Sequence, residues 1–262
     1  METILTTIAQ YARERVHRAQ RFHATSELRE QCESLGPADG KRFEDALRVP
    51  GLRFICEIKR ASPSKGMISQ DFPYLQIAQE YQQGGADCIS CLTEPRWFMG
   101  SDHIFRQIRQ EIAMPMIRKD FVVDAYQLYE ARLMGADAVL LICSILDQQD
   151  LETYMGIARQ LGLSALVETH NADEVRRAVD AGATLIGVNN RDLRDFSVDF
   201  SNAQRLRDLV PSSAVFVAES GVSSLQDVSN IAAIGADAAL VGEMLMRAPD
   251  KTAMIRAMRE AS

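Results

Sequence analysis

The stretch ARLMGADAVLLIC, residues 131–143, decides how the fold is read. A helical pattern stops at Gly135, Ala136-Asp137 follows, and an unbroken apolar run begins at Ala138. The same joint recurs as Gly85-Ala86-Asp87, Gly182-Ala183-Thr184 and Gly235-Ala236-Asp237. Glycine just past a helix accepts the left-handed backbone that other residues resist, so it ends the helix and turns the chain back. Four such joints point to one helix-to-strand unit used again and again.

Working outward, eight short apolar runs appear: FICEIKR (54–60), DCISCLT (87–93), PMIRKDF (115–121), DAVLLIC (137–143), SALVETH (164–170), TLIGVNN (184–190), AVFVAES (214–220) and DAALVGE (237–243). Their starts lie roughly 20 to 35 residues apart, room for one crossover helix between parallel strands. An open doubly wound sheet and a closed barrel both fit such alternation. Eight units without a long linker, in a chain of 262 residues against about 250 for an α/β barrel, favour the (β/α)8 TIM barrel. We therefore expect one barrel domain over residues 1–262, with residues 1–50 as a helical extension.

In that extension Ile4, Ile8, Tyr11, Ala12 and Ala19 fall at helical spacing. Ser26 is the expected cap of a second helix, and RFEDALR reads as a third. The apolar face of residues 1–48 has to be buried, and the polar mouth beside the SPSKG loop is the expected place.

Composition excludes several classes. With 47% hydrophobic and 25% charged residues, the chain is neither disordered, collagenous nor membrane-spanning. A net charge of −7 argues against a polyanion binder, and Arg13, Arg15, Arg18 and Arg21 are balanced by Glu14 and later acids. No nucleic-acid or membrane partner is expected. The five cysteines, Cys32, Cys56, Cys88, Cys91 and Cys143, are odd in number and mostly inside apolar runs, the habit of reduced thiols. Cys88 and Cys91 sit in one strand at an odd separation, so their side chains face opposite ways. The first residues lack the pattern of a secretory leader, which makes the cytoplasm the expected location.

Charges in barrel strands are costly unless compensated, yet here they gather at the C-terminal ends. Glu57 and Lys59 close the first strand, Lys119 the third, Glu168 the fifth, Asn189 and Arg191 the sixth, and Glu219 the seventh. That is the face where barrel enzymes assemble their sites. Any one Glu/Lys pair could equally be a structural ion pair; seven polar residues on five strands, all at one end, favour a single constellation. Ser220-Gly221 and Gly242 fall after strands seven and eight, where such barrels bind phosphate through backbone N–H groups. Glu243 beside Gly242 would repel an anion and is expected to point away. Glu168 and His170 share a strand face, but no three-ligand cluster accompanies them, so His170 is expected as a hydrogen-bonding residue at the rim and no metal is expected.

The motifs CEIKRASPSKG (56–66), RKDF (118–121), LVETH (166–170), GVNNRDL (187–193) and AESGV (218–222), with the spacer TEPRWFMGS (93–101), resemble in order those of the indole-3-glycerol phosphate synthase family. The resemblance runs over nearly the whole chain. It implies conversion of 1-(2-carboxyphenylamino)-1-deoxyribulose 5-phosphate to indole-3-glycerol phosphate with loss of carbon dioxide and water. It casts Lys119 as the general acid, Lys59 as the carboxylate holder and an acid in dehydration, Glu168 as the base or the stabiliser of a cationic intermediate, and Asn189 as a hydroxyl ligand. Glu57 and Glu219 would position lysines and substrate. Ser62, Phe98, Phe121, Leu140, Arg191 and Leu193 would contact substrate, and Ser220, Gly221, Gly242 and Glu243 would form the phosphate end. Cys56 and Glu243 depart from the usual pattern. The partner implied is a small anionic sugar phosphate, with no cofactor, acting on a monomer or weak homodimer. A Schiff-base aldolase using Lys59 or Lys119 and a catalytically dead binding protein or scaffold are the competing readings. Borohydride trapping separates the first, and the retained Lys59, Lys119 and Glu168 argue against the second.

Overall fold

A computed structural model describes residues 3–192, 197–199 and 201–262. Eight parallel strands close into a barrel: β1 (Arg53–Ile58), β2 (Cys88–Leu92), β3 (Met116–Lys119), β4 (Ala138–Ile142), β5 (Ser164–Thr169), β6 (Leu185–Asn189), β7 (Val215–Glu219) and β8 (Ala238–Val241). Each pairs with its neighbours in sequence, and β1 pairs with β8 to close the ring. Seven lie inside the expected apolar runs, and β1 starts one residue ahead of its run, at Arg53. The extension holds α1 (Ile4–Ala19), α2 (Thr25–Ser34) and α3 (Arg42–Leu47). The outer layer is α4 (Tyr74–Gly84), α5 (Asp102–Glu111), α6 (Tyr126–Leu133), α7 (Gln148–Gln160), α8 (Ala172–Asp180), α9 (Ser201–Leu206), α10 (Leu225–Ala233), α11 (Glu243–Arg247) and α12 (Lys251–Glu260).

Strand alternation sorts side chains into two cores. Ile55, Cys88, Ile117, Leu140, Leu166, Leu185, Val217 and Leu240 fill the barrel. Phe54, Cys56, Ile89, Cys91, Val139, Val167, Ile186, Phe216 and Ala239 pack outward against the helices. Cys88 and Cys91 thus do part company, and all five cysteines are free thiols.

The repeated joints have a further job. Gly85, Gly135, Gly182 and Gly235 all take positive φ, between 71° and 86°. The aspartate two residues on then reaches across to the preceding strand: Phe54 N donates to Asp87, Met116 N to Asp137 and Phe216 N to Asp237, each at 2.8 Å. A hydrogen bond to a charged acceptor contributes about 1.5–3 kcal/mol, so each clip fastens two adjacent strands at their N-terminal ends. Where the third joint has Thr184 instead, its hydroxyl donates to Glu44 of α3 at 2.9 Å.

The extension wraps the barrel from end to end. Helix α1, capped by Thr3, lays Ile4, Leu5 and Ile8 over the C-terminal mouth, where they line the same cavity as Ser62, Pro63, Ser64 and Lys65. Arg15 fixes it there by a two-pronged pair with buried Asp120, 2.7 and 3.2 Å. Helix α2 packs on α6 through Leu28 and Tyr126. Its start corrects the expected cap: Ser26 lies inside the helix, and the orphan N–H of Ala24 is satisfied by the Glu27 carboxylate at 3.1 Å, since a glutamate three residues on can reach back over the turn. Helix α3 goes to the opposite end, where Phe43 and Leu47 plug the floor among Ile55, Leu185, Val215 and Ala238. The mouth was thus the right place for α1 but not for α3.

Candidate active site

The inward residue nearest the C-terminal end of most strands is polar. Glu57, Lys119, Glu168, Asn189 and Glu219 are all buried there, at the top of a largely apolar barrel, and they line one cavity of about 890 Å3, a size suited to a small ligand. Lys119 Nζ lies 2.8 Å from Glu219 Oε2 and 3.4 Å from Glu168 Oε2. Lys59 pairs with Glu57.

Burial disfavours an ammonium at Lys119, but Glu219, Glu168 and Glu57 outweigh it and raise the pKa above the ordinary lysine value. Lys119 therefore stands protonated. The two carboxylates that share it diverge. Burial pushes Glu219 up to about 7, against the pull of Lys119 and with the repulsion of Glu168. Glu168 resists burial because Lys119 and His170 hold its charge and Asn189 donates to it, and its pKa falls below the usual value. Glu168 is thus served by both Lys119 and His170 while Glu219 has only its share of Lys119, so Glu168 is ionised and Glu219 is readily protonated near neutral pH.

Two glycines make this packing possible. A Cβ at Gly187 would overlap Glu219 Oε1, and one at Gly242 would fall 2.5 Å from Glu57 Oε1 and 3.1 Å from Lys59 Nζ. The role of Gly187 went unread in the sequence, since a space requirement set by Glu219 on the next strand leaves no local pattern.

The cavity wall opposite the charges is apolar. Phe98 and Phe121 pack at a tilt of 41° with centroids 6.0 Å apart beside Leu140, Ile142, Ile4 and Ile8. Phe98 is held by Glu94, whose buried carboxylate accepts the backbone N–H groups of Arg96, Trp97 and Phe98 at 2.7–2.9 Å. The segment around Phe121 is held by Gln127, which donates to Phe121 O at 2.8 Å and accepts from Val123 N at 2.9 Å. Glu94 and Gln127 were also missed; both act on backbone, and nothing in residue type or spacing announces that.

At the far side Ser220 and Gly221 both have positive φ, 65° and 97°, and Asn190 donates to Ser220 O at 3.3 Å. Ser220, Gly221, Ser223, Gly242, Glu243, Lys65 and Arg247 surround this end of the cavity. The Glu243 carboxylate is taken up by Arg247 at 3.0 Å and Lys65 at 3.6 Å. Ser62 lies buried on the short hairpin of the β1–α4 loop. Arg191 bridges to Val198, and its N–H donates to Asn189 Oδ1 at 2.9 Å. Leu193 lies outside the described residues. His170 follows the end of β5, where it bonds to Glu174 and its ring lies between Glu168 and Glu174.

A sequence model described as indole-3-glycerol phosphate synthase matches residues 5–258. The chain is 47% identical over 256 residues to the indole-3-glycerol phosphate synthase of Ruminiclostridium cellulolyticum, covering 98% of each. It is 51% identical over 217 residues to that of Lachnoclostridium phytofermentans, covering 83% of this chain and 80% of the other. Among solved structures, 3-hexulose-6-phosphate synthase from Salmonella typhimurium superposes with a TM-score of 0.65 at 16% identity, covering 80% of this chain and 98% of that one. At that identity the likeness speaks for the barrel alone.

Proposed function

The chain belongs to the indole-3-glycerol phosphate synthase family, and on that premise we propose how its own residues divide the work of closing, decarboxylating and dehydrating 1-(2-carboxyphenylamino)-1-deoxyribulose 5-phosphate. The observation that carries the reading is the protonated Lys119 clamped by Glu168 and Glu219 at the edge of an apolar wall. The aromatic ring lies against Phe98, Phe121 and Leu140, and its carboxylate meets Lys59. As the ring carbon bearing that carboxylate attacks the ketone, Lys119 delivers a proton to the ketone oxygen, so charge on the oxygen is met by a donor already in place. Breaking the bond to the carboxylate releases carbon dioxide and returns the electron pair to the ring. Lys59 then protonates the departing hydroxyl, which leaves as water, while Glu168 faces the cationic intermediate and takes the proton that restores the indole. Glu57 and Glu219 hold the two lysines, and Asn189, Ser62, Arg191 and Leu193 complete the substrate contacts.

The phosphate is read into the end lined by Ser220, Gly221, Gly242 and Glu243, where the two glycines allow close approach of backbone N–H groups to an anion. All five cysteines are buried free thiols, which supports a reducing compartment, and we read the chain as a cytoplasmic monomer or weak homodimer. No helix in the described residues is long and apolar enough to cross a membrane. The direct test supplies the substrate and follows indole absorbance and fluorescence; a reducible imine with substrate and no indole product would favour the aldolase instead.

The placement of Glu243 yields its own expected result. A partly exposed charge contributes about 0.3–1 kcal/mol. Glu243→Gln removes a like charge from the phosphate end and frees Lys65 and Arg247 to face the anion. Inorganic phosphate should inhibit the variant about two- to fivefold more tightly, with kcat little changed. Weaker inhibition would place the phosphate elsewhere.

A further inference from the structure

His170 follows β5, and its ring is caught between two carboxylates. Nδ1 lies 3.2 Å from Glu174 Oε2 and Nε2 3.4 Å from Glu168 Oε1, with the side chain largely buried. Glu174 is anchored independently. Its Oε2 accepts the backbone N–H of His170 at 2.8 Å, its Oε1 accepts from Asn171 Nδ2 at 2.9 Å, and its own N–H donates to Asn171 Oδ1 at 3.0 Å. Fixing Nδ1 against Glu174 aims Nε2 at Glu168. Nε2 is buried and meets Glu168 as an ion pair without a hydrogen bond.

An ionised carboxylate only accepts, and a neutral imidazole has one N–H. Either neutral tautomer therefore turns a nitrogen lone pair toward one of the two glutamates, and only the imidazolium suits both. From the barrel interior Glu219 adds negative charge, with Lys119 beyond Glu168; from α9 the neutral Asn202 amide donates to His170 O at 3.1 Å. Burial opposes the charge on the ring, and the bond to Glu174 and the field of Glu168 prevail, raising its pKa above the ordinary histidine value.

We propose that His170 is a positioning residue for the reaction: as an imidazolium strung between Glu174 and Glu168, it holds Glu168 ionised and oriented, and its loss of a proton sets the alkaline limit of turnover. This rests on the reading of Glu168 as the group that faces the cationic intermediate. The sign follows from the geometry. As pH rises through the His170 pKa the imidazolium is lost, one of its two ion pairs turns repulsive, and Glu168 is released from its aim.

The test combines kcat measured across pH with NMR titration of the His170 ring in the whole enzyme. We expect the alkaline limb of kcat and the ring titration to share a midpoint, and Glu174→Gln to move both to lower pH. His170→Asn should lower kcat about three- to tenfold at neutral pH, flatten that limb, and leave KM within about twofold. A ring neutral at the pH of maximal turnover, or a Glu174→Gln variant whose ring titration moves while its kcat limb stays put, would overturn the inference. If His170 served only to support the start of α8, its replacement would lower the melting temperature and leave the shape of the pH profile intact. Glu168→Gln separates the underlying reading: full activity there refutes the role of Glu168, whereas an inactive Glu168→Gln enzyme beside an unchanged His170→Asn profile refutes only His170.

Discussion

Lys119→Met is expected to lower kcat by at least about 10²- to 10⁴-fold, the ordinary worth of general acid catalysis, while KM changes less than about tenfold. Methionine keeps the apolar stem and removes the donor. The loss belongs to the transition state, where charge moves onto the ketone oxygen; the phosphate and the aromatic ring keep their own contacts at opposite ends of the cavity. The substitution also strips the cation from between Glu168 and Glu219. Glu219, which burial already pushes up to about 7, then takes up a proton at neutral pH instead of staying ionised without a partner, so the fold survives to be assayed. Steady-state kinetics alongside circular dichroism check this. A variant that keeps kcat within about threefold, or regains full rate at saturating substrate, would make Lys119 a binding residue and pass ring-closure acidity to Lys59.

Phe43→Ala should have the largest effect on stability and almost none on chemistry. Phe43 is completely buried at the floor of the barrel, in contact with the inner cluster and far along the strands from the lysines. Truncating a core phenylalanine costs about 3–5 kcal/mol through lost transfer energy and an unfilled cavity, a large part of the total for a protein domain. Urea unfolding should show the unfolding free energy falling by that amount and the midpoint falling with it, with kcat and KM of the remaining folded enzyme unchanged below the transition. A loss of kcat without loss of stability would mean that α3 communicates with the mouth.

Much of this was legible in the residues because it rests on short-range rules. The positive φ at Gly85, Gly135, Gly182 and Gly235 follows from what a glycine after a helix can do, and the eight apolar runs follow from strands covered on both faces. The charged strand ends stood out because a buried lysine or glutamate needs a reason. Other features depend on which partner a side chain or backbone group finds in space, near or far along the chain. Ser26 looked like a cap, and only the reach of Glu27 to Ala24 shows that the helix begins earlier. That RFEDALR forms a helix is periodicity; that Phe43 seals the floor is topology. Gly187, Glu94 and Gln127 serve the site through space or through backbone, and their neighbours in sequence carry no trace of it. His170 was seen, but its second carboxylate lies a helical turn away across a loop, and the ring's place between two anions appears only in three dimensions.

The path of the extension also bears on how the protein can be joined to other proteins. Helix α1 lies over the mouth, where Ile4 and Leu5 form part of the cavity wall, and the last turn of α12 reaches the floor: Arg259 pairs with Asp87 just before β2, and Ala261 O accepts from Ser229 at 2.7 Å. A fluorescent reporter or immobilisation tag fused ahead of α1 would crowd the substrate entrance and strain the helix that frames it. The same cargo attached beyond α12 would hang from the opposite pole, leaving the entrance open to solvent.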